Sequence, residues 1–206
     1  RRVHGCDYVG TLNCRDLGTD NALGRLDAIC QLMRARGVGL LAVQETKRKQ
    51  SDRLDETVGL RYYGSATHRT DHGRRTGGTG FLVSRALLDC FSYLGPRPGR
   101  THVLPDTKYA AQWGHLYGCD KEHDVWIASV YLPASSAVAA APGLYARALA
   151  DLGADLDHYA AKPGVIMLAG DWNARVGHAC LETMRPQHRA VAPRFGEDTV
   201  SASGVH

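Results

Sequence analysis

The chain has 206 residues, of which 44% are hydrophobic and 22% are charged, a composition typical of one globular domain with a sizeable core. Its formal net charge is +4, from 25 basic and 21 acidic residues. This weak positive balance favours a polyanionic partner only mildly and argues against a dedicated nonspecific DNA-binding protein. The apolar run at residues 165–169 is far too short to cross a bilayer, so we expect no membrane association.

The chain begins Arg-Arg-Val-His and has no apolar secretory segment there. We therefore expect an intracellular protein, not a secreted one, with the nucleus as a candidate compartment. Six cysteines are scattered and none forms a C-x2-C pair, which argues against a zinc ribbon. We predict reduced, mostly buried thiols; a disulfide framework is the alternative.

The first half of the chain predicts alternating strands and helices. Residues 9–14 are predicted as a strand, and residues 22–36 as a helix because their apolar positions follow i, i+3, i+4 spacing. The apolar run at 38–43 predicts a strand buried on both faces. Residues 51–58 are predicted as a short helix capped by Ser51. A strand at 62–66 is followed by a polar, glycine-rich loop at 68–78.

The second half continues with strands and one long helical region. Strands are predicted at 80–84, 109–117, 125–132 and 165–173, with a proline-rich loop at 96–105 and a polar turn at 118–124. Residues 137–161 are predicted as helical, with a break near Pro142-Gly143. This order favours an α/β (α+β) domain with stacked sheets and outer helices. A doubly wound dinucleotide fold fits less well, because no G-x-G-x-x-G follows the first strand.

Polar side chains stand at the ends of several predicted strands, where they can share a cleft. Asp171 and Asn173 are two residues apart and would leave the same face if the backbone is extended. A carboxylate that activates water, next to an amide that stabilises charge, suits phosphoester hydrolysis. Glu45 offers the oxygen ligand that Mg²⁺ prefers. Each position alone is more often a turn residue, a helix cap or a solvated charge.

The motifs taken in order resemble the endonuclease/exonuclease/phosphatase superfamily, which includes apurinic endonucleases, DNase I-like nucleases and endonuclease domains of non-LTR retrotransposons. The resemblance spans nearly the whole chain, and the Q-E-T and G-D-W-N-A blocks are its most specific parts. The extended form G-D-W-N-A-R-V-G is most similar to the retrotransposon branch. The motifs are Thr11-Leu12-Asn13, Val43-Gln44-Glu45-Thr46, Gly77-Gly78-Thr79-Gly80-Phe81-Leu82-Val83-Ser84, Val130-Tyr131-Leu132-Pro133 and Gly170-Asp171-Trp172-Asn173-Ala174.

This resemblance implies a role for each of five residues. Glu45 and Asn13 would belong to a site for Mg²⁺ or Mn²⁺, and Tyr131 would contact the phosphate. Asp171 would activate the water and Asn173 would position the phosphate. The implied fold is a DNase I-like four-layer α/β/β/α sandwich, formed by one domain over residues 1–206.

The chain departs from the family pattern in one place: the closing S-D-H-type motif has no counterpart. The adjacent Asp-His pair Asp71-His72 lies in the polar loop and is out of order. We therefore expect a domain that is incomplete at its C-terminus and lacks its last strands. The activity of such a chain is then open: it is either a truncated enzyme or a protein that has lost catalysis.

Two basic clusters are candidates for binding a nucleic-acid backbone: Lys47-Arg48-Lys49 with Arg53, and Arg69 to Arg75. The residues assigned to this role are Lys47, Arg48, Arg74 and Arg75. A solvated charged surface is the competing interpretation. The functional hypothesis is Mg²⁺-dependent phosphodiester hydrolysis, most simply nicking of DNA of the retrotransposon type, with no protein partner inferred. The alternatives are a non-catalytic, decayed fragment that at most binds nucleic acid, and a small-molecule phosphoesterase of the same fold.

Overall fold

The computed structural model describes residues 8–17, 22–48, 53–55, 59–64, 68–69, 75–97, 111–133, 135–140 and 143–173. These residues belong to a unit of Arg1–Trp172, except Asn173, which begins a second unit of Asn173–His206. None of the described helices combines the length and the apolar character that crossing a membrane requires. The elements are β1 (Tyr8–Asn13), α1 (Ala22–Ala35), β2 (Val38–Gln44), β3 (Arg53–Asp55), β4 (Leu60–Gly64), β5 (His68–Arg69), β6 (Arg75–Thr76), β7 (Thr79–Ser84), a 3₁₀ helix (Arg85–Cys90), β8 (Phe91–Gly95), β9 (Gln112–Leu116), a 3₁₀ helix (Lys121–His123), β10 (Val125–Tyr131), α2 (Ser135–Ala140), α3 (Leu144–Ala160) and β11 (Val165–Asp171).

Two sheets make up most of this unit. Sheet I has the order β1-β2-β7-β4-β3, sheet II has the order β11-β10-β9-β8, and β5 and β6 form a separate small hairpin. Each sheet has one parallel pair at its edge, β1 with β2 and β10 with β11, while the other pairs are antiparallel. The carboxyl ends of the strands in a parallel pair lie at the same edge of a sheet, so each sheet brings two strand ends together.

Alternate side chains along β2 point into two different layers of the core. Leu40 and Ala42 face the second sheet and are buried with Ile127 of β10, whereas Leu41 and Val43 face the other way and pack with the apolar stripe of α1. That stripe consists of Leu26, Ile29, Cys30 and Met33. On the far side of sheet II, Trp113, Ala128 and Val130 pack with Ala148, Leu152 and Tyr159 of α3. The expected α/β/β/α layering is confirmed.

Most predicted elements are confirmed with small shifts at their ends, but the helix predicted at 51–58 is wrong. Residues Arg53–Asp55 form an edge strand that pairs antiparallel with residues 60–62 of β4. The i, i+4 spacing of Leu54 and Val58 in the sequence is a weak helical signal, and pairing with a neighbouring strand overrides such local preference. Much of this segment, namely 51–52 and 56–58, lies outside the described residues.

Further differences concern a predicted loop, two elements that were not predicted and the burial of the cysteines. The predicted loop at 68–78 contains the short strands β5 and β6, which pair with each other. The 3₁₀ helix Arg85–Cys90 and strand β8 were not predicted, because no clear apolar alternation distinguishes them. Four described cysteines are free as expected, but only Cys30 is buried. The predicted proline-rich loop lies mostly outside the described residues.

A buried carboxylate anchors α3 to sheet II. Asp155 of α3 is fully buried and accepts a hydrogen bond from Nε1 of Trp113 at 3.1 Å. Its other oxygen accepts from Nε of Arg97 at 2.7 Å, which forms an ion pair. A carboxylate removed from water is tolerated only when such partners compensate its lost hydration. The pair therefore ties the outer helix to a strand of the sheet and to the segment after β8.

We predict that Arg97→Ala destabilises the protein by roughly 3–5 kcal/mol, because it leaves the buried Asp155 carboxylate without its cation. Urea unfolding followed by circular dichroism measures the change. The matched control is Arg147→Ala on the exposed face of α3, which should change stability by less than about 0.5 kcal/mol. Equal effects of the two substitutions would show that the buried ion pair does not stabilise the fold.

Candidate active site

The two parallel strand pairs end beside each other, one in each sheet. In sheet I, Asn13 at the end of β1 is paired in register with Gln44 at the end of β2. In sheet II, Tyr131 at the end of β10 is paired with Asp171 at the end of β11. The polar residues that follow apolar strands in the sequence therefore meet at one edge of the sandwich.

Direct hydrogen bonds join four of the predicted site residues across the two sheets. Nδ2 of Asn13 donates to Oε1 of Glu45 at 3.0 Å and to Oδ2 of Asp171 at 2.8 Å. The Tyr131 hydroxyl donates to the same Glu45 oxygen at 3.1 Å. Because one amide nitrogen bonds to both carboxylates, Glu45 and Asp171 lie close together although they belong to different sheets.

The backbone at Glu45 explains how its side chain reaches sheet II. Gln44 faces sheet II, so in a regular strand the next residue would face α1 instead. Glu45 has a φ of 53°, a left-handed conformation that costs a non-glycine residue energy. This local break in the alternation lets two consecutive side chains, Gln44 and Glu45, both reach sheet II.

Buried contacts on the other side hold this conformation in place. Thr46 is fully buried and its hydroxyl lies 3.0 Å from the Tyr62 hydroxyl. Its backbone N–H donates to the carbonyl of Gly78 at 3.2 Å, and the N–H of Lys47 donates to Gly77 at 3.1 Å. Gly77 and Gly78 have positive φ values of 70° and 91°, a backbone conformation that residues with a side chain rarely adopt. The Gly-Gly segment before β7 therefore supports the turn that carries Glu45.

Strained backbone is concentrated beside these strand ends. Besides Glu45, Arg15 and Lys47 have φ of 55° and 50°. The N–H of Arg15 donates to Oδ1 of Asn13 at 3.1 Å, which fixes the orientation of that amide. Left-handed non-glycine residues cost of order 1–3 kcal/mol and are enriched at functional sites. The residues with left-handed backbone thus lie at the same edge of the sandwich as the hydrogen-bonded side chains.

Asn173 is placed differently from the other four residues. Strand β11 ends at Asp171, and Asn173 has a left-handed φ of 47°. The shared face of Asp171 and Asn173 was expected for an extended backbone, and this expectation stays a prediction. Asn173 begins the second unit of the chain, and its phosphate-positioning role stays a prediction.

The predicted nucleic-acid-binding residues are only partly described. Lys47 and Arg48 follow Thr46 and are half-buried, and the Arg48 guanidinium lies over the Tyr62 ring at 5.1 Å from its centroid. Arg75 begins β6, but its side chain lies outside the described part, as does the whole of Arg74. Lys47 and Arg48 thus lie within three residues of Glu45 in the chain, and their role in binding nucleic acid stays a prediction.

A cysteine beside the site is not a candidate nucleophile. Cys14 follows Asn13 in the chain, and burial raises the pKa of its thiol to about 12, against a smaller opposing effect of Arg25. The thiol is therefore protonated at neutral pH, and only the thiolate is strongly nucleophilic. This argues against a phosphatase mechanism that forms a phosphocysteine.

Another group of possible metal ligands lies in the turn between β9 and β10, away from the carboxylate pair. Cys119, Asp120 and His123 are exposed, and their ligand atoms lie within 4.8 Å of one another. Asp120 already accepts hydrogen bonds from the N–H groups of Glu122 and His123, so it caps the short 3₁₀ helix. Hydrogen bonding to His123 is the largest cause that lowers the pKa of this carboxyl. The turn geometry alone accounts for this group.

Comparison with known families agrees with this geometry. The profile of the Endonuclease/Exonuclease/phosphatase family matches residues 10–188. The chain belongs to this family. No curated protein sequence matches it significantly. The matched region includes every residue of the candidate site, from Asn13 to Asn173.

Three solved structures are similar to this chain at low sequence identity, and the two with a TM-score above 0.5 share its fold. An endonuclease/exonuclease/phosphatase family protein from Leptotrichia buccalis C-1013-b is 13% identical, with a TM-score of 0.54, over 84% of this chain and 70% of its own. The AP endonuclease LMAP from Leishmania major is 14% identical, with a TM-score of 0.52, over 79% and 53%. A humanized D. rerio TDP2 is 12% identical, with a TM-score of 0.49, over 84% and 67%. The chain thus spans between about half and 70% of the length of these proteins.

The donor set at the site fits the divalent metal that members of this family typically use. Glu45 and Asp171 bring two carboxylates together, and hard oxygen donors of this kind suit Mg²⁺ or Mn²⁺. Asn13 presents its amide nitrogen to both carboxylates, while its oxygen accepts from Arg15. In this arrangement Asn13 bridges the two carboxylates, and its predicted role as a metal ligand stays a prediction.

Sequence reasoning missed the residues that support these side chains. Gln44, Thr46 and Ser129 are buried polar residues at or near the strand ends. Gln44 and Thr46 flank Glu45 within the Q-E-T block, yet the sequence alone showed no role for them. Their polar character inside an otherwise apolar run was the available signal, because buried polar groups are retained only with hydrogen-bond partners.

We predict that Glu45→Gln weakens binding of Mn²⁺ by more than about tenfold, because it removes a carboxylate charge from the site. Isothermal titration calorimetry with MnCl₂ measures the affinity. The control is Asp157→Asn on the exposed face of α3, which should bind like the wild type. Equal affinity of Glu45→Gln and the wild type would show that Glu45 does not hold the metal.

Proposed function

We propose that this chain hydrolyses phosphodiester bonds in a metal-dependent reaction and that its substrate is DNA, which it nicks in the manner of retrotransposon endonucleases. The observation that carries the proposal is the hydrogen-bonded cluster of Asn13, Glu45, Tyr131 and Asp171. It joins two carboxylates, an amide and a phenol at adjacent strand ends. These are the groups that phosphoester hydrolysis uses to orient water and to stabilise charge on phosphate oxygens.

Asp171 is the residue best placed to activate water. Asn13 donates to one of its oxygens, and such a bond orients the carboxylate. An ionised carboxylate can accept a proton from a water that attacks phosphorus. The backbone carbonyl of Asp171 also accepts from the N–H of Leu132 at 3.0 Å, which ties the end of β11 to β10. Asp171 is therefore held by Asn13 of β1 in the other sheet and by Leu132, which follows β10.

Tyr131 and Glu45 would act on the phosphate side. The Tyr131 hydroxyl is a donor and bonds to Glu45. A phosphate oxygen at the site would offer it an alternative acceptor. Mg²⁺ bound at Glu45 would neutralise part of the phosphate charge. Asn13 would keep the two carboxylates in their relative orientation.

DNA is the proposed substrate because basic residues follow Glu45 closely in the chain. Lys47 and Arg48 come immediately after Thr46, and basic residues of this kind contact phosphates without reading base sequence. The net charge of +4 supports a modest affinity for a polyanion. The block Gly170-Asp171-Trp172-Asn173-Ala174-Arg175-Val176-Gly177 supports the retrotransposon branch, by its resemblance to that motif.

We predict that the protein converts supercoiled plasmid to the nicked form in the presence of Mg²⁺ and that Asp171→Asn slows this at least about 100-fold. The reason is that the amide cannot accept the proton of the attacking water, and general base catalysis contributes about 10²–10⁴-fold. Agarose gel electrophoresis of the plasmid over time measures the rate. The matched control Asp157→Asn should nick like the wild type.

Other outcomes of this assay would assign other functions. Nicking by Asp171→Asn at the wild-type rate would contradict the role of this carboxylate. A wild type that leaves DNA intact but cleaves bis(p-nitrophenyl) phosphate would indicate a small-molecule phosphodiesterase. Binding of DNA without cleavage of either substrate would indicate a non-catalytic protein.

A further inference from the structure

A buried glutamine lies directly before Glu45 and has no role in the chemistry proposed above. Gln44 is 1% exposed and sits between the two sheets. Its Oε1 accepts from the Thr11 hydroxyl at 3.3 Å, and its Nε2 donates to Oγ of Ser129 at 3.1 Å. It therefore connects β1, β2 and β10 at the point where these strands approach the site.

Ser129 extends this connection to the backbone of β2. Its hydroxyl is fully buried and donates to the carbonyl of Val43 at 3.2 Å. One serine on sheet II thus bonds to two consecutive residues on sheet I, immediately before Glu45. Hydrogen bonds in such a dry environment are strong, and an unpaired polar group there would be costly.

The bond from Gln44 to Ser129 runs beside the bond between Glu45 and Tyr131. Ser129 and Tyr131 are two apart on β10, so both side chains face sheet I. Gln44 and Glu45 are consecutive on sheet I, and both reach sheet II because of the left-handed backbone at Glu45. The direction of the Glu45 carboxylate therefore depends on how the preceding residue is held against β10.

We propose that Gln44 is a positioning residue that, through Ser129, sets the Glu45 carboxylate toward Tyr131 and Asn13 and thereby determines the metal affinity of the site. This inference rests on the proposed function, because it assigns Glu45 to metal binding. Residues that orient a metal ligand without touching the metal typically change metal affinity by 10–100-fold when they are substituted.

A second buried glutamine in the same layer separates this role from simple stabilisation. Gln112 of β9 is 2% exposed and is paired in register with Ser129. Its side chain accepts from the Tyr93 hydroxyl at 2.5 Å. Gln44→Met and Gln112→Met each replace a buried amide by a side chain of similar size without hydrogen bonds. Both should destabilise the fold, but only Gln44→Met removes a contact next to Glu45.

The experiment measures Mn²⁺ affinity by calorimetry and thermal stability by circular dichroism in the full chain. We expect Gln44→Met to raise the Mn²⁺ dissociation constant about tenfold and Gln112→Met to change it less than about twofold. In a Glu45→Gln background, Gln44→Met should cause no further loss, because it acts through that carboxylate. Ser129→Ala provides a second test of the same contact and should also weaken Mn²⁺ binding.

The outcomes distinguish this proposal from the one on which it rests. If Glu45→Gln weakens Mn²⁺ binding while Gln44→Met and Ser129→Ala bind like the wild type, the positioning role is overturned and the metal site stands. If Gln44→Met and Gln112→Met weaken binding equally, Gln44 is only a stabilising residue. If Glu45→Gln binds Mn²⁺ like the wild type, both proposals fail.

Discussion

The candidate site depends on the left-handed backbone at Glu45. Without it, the regular alternation of β2 would direct this carboxylate toward α1 and away from Tyr131 and Asp171. The conformation costs energy for a residue with a side chain, and the fold compensates with buried hydrogen bonds on both sides. Gln44 holds the chain toward sheet II, and Thr46 holds it toward Tyr62.

Along the same strands, apolar packing occupies the middle and buried hydrogen bonds occupy the carboxyl ends. Leu40, Ala42 and Ile127 belong to the buried apolar cluster between the sheets. Toward the carboxyl ends of β2 and β10, the same faces carry Gln44 and Ser129. Polar groups are tolerated there because each finds a partner on the opposite sheet. The edge of the sandwich is thereby rigid enough to fix two carboxylates relative to each other.

Local patterns in the sequence predicted the strands and the residues at their ends, because period-2 and period-3.6 spacing and strand boundaries are local properties. The expectation that Glu45 and Asp171 meet came from the family order of the motifs and not from these local patterns. They did not predict β3, whose three residues become a strand by pairing with β4. They also missed the left-handed backbone of Glu45 and Asn173, since such a conformation follows from surrounding tertiary contacts.

The claim that strand ends from both sheets form one metal-dependent site is tested most directly by X-ray diffraction from crystals soaked in MnCl₂, with data collected at the manganese absorption edge. We predict an anomalous peak about 2 Å from a carboxylate oxygen of Glu45, on the side that faces Asp171. A peak at the turn of Cys119, Asp120 and His123, with none at Glu45, would contradict it.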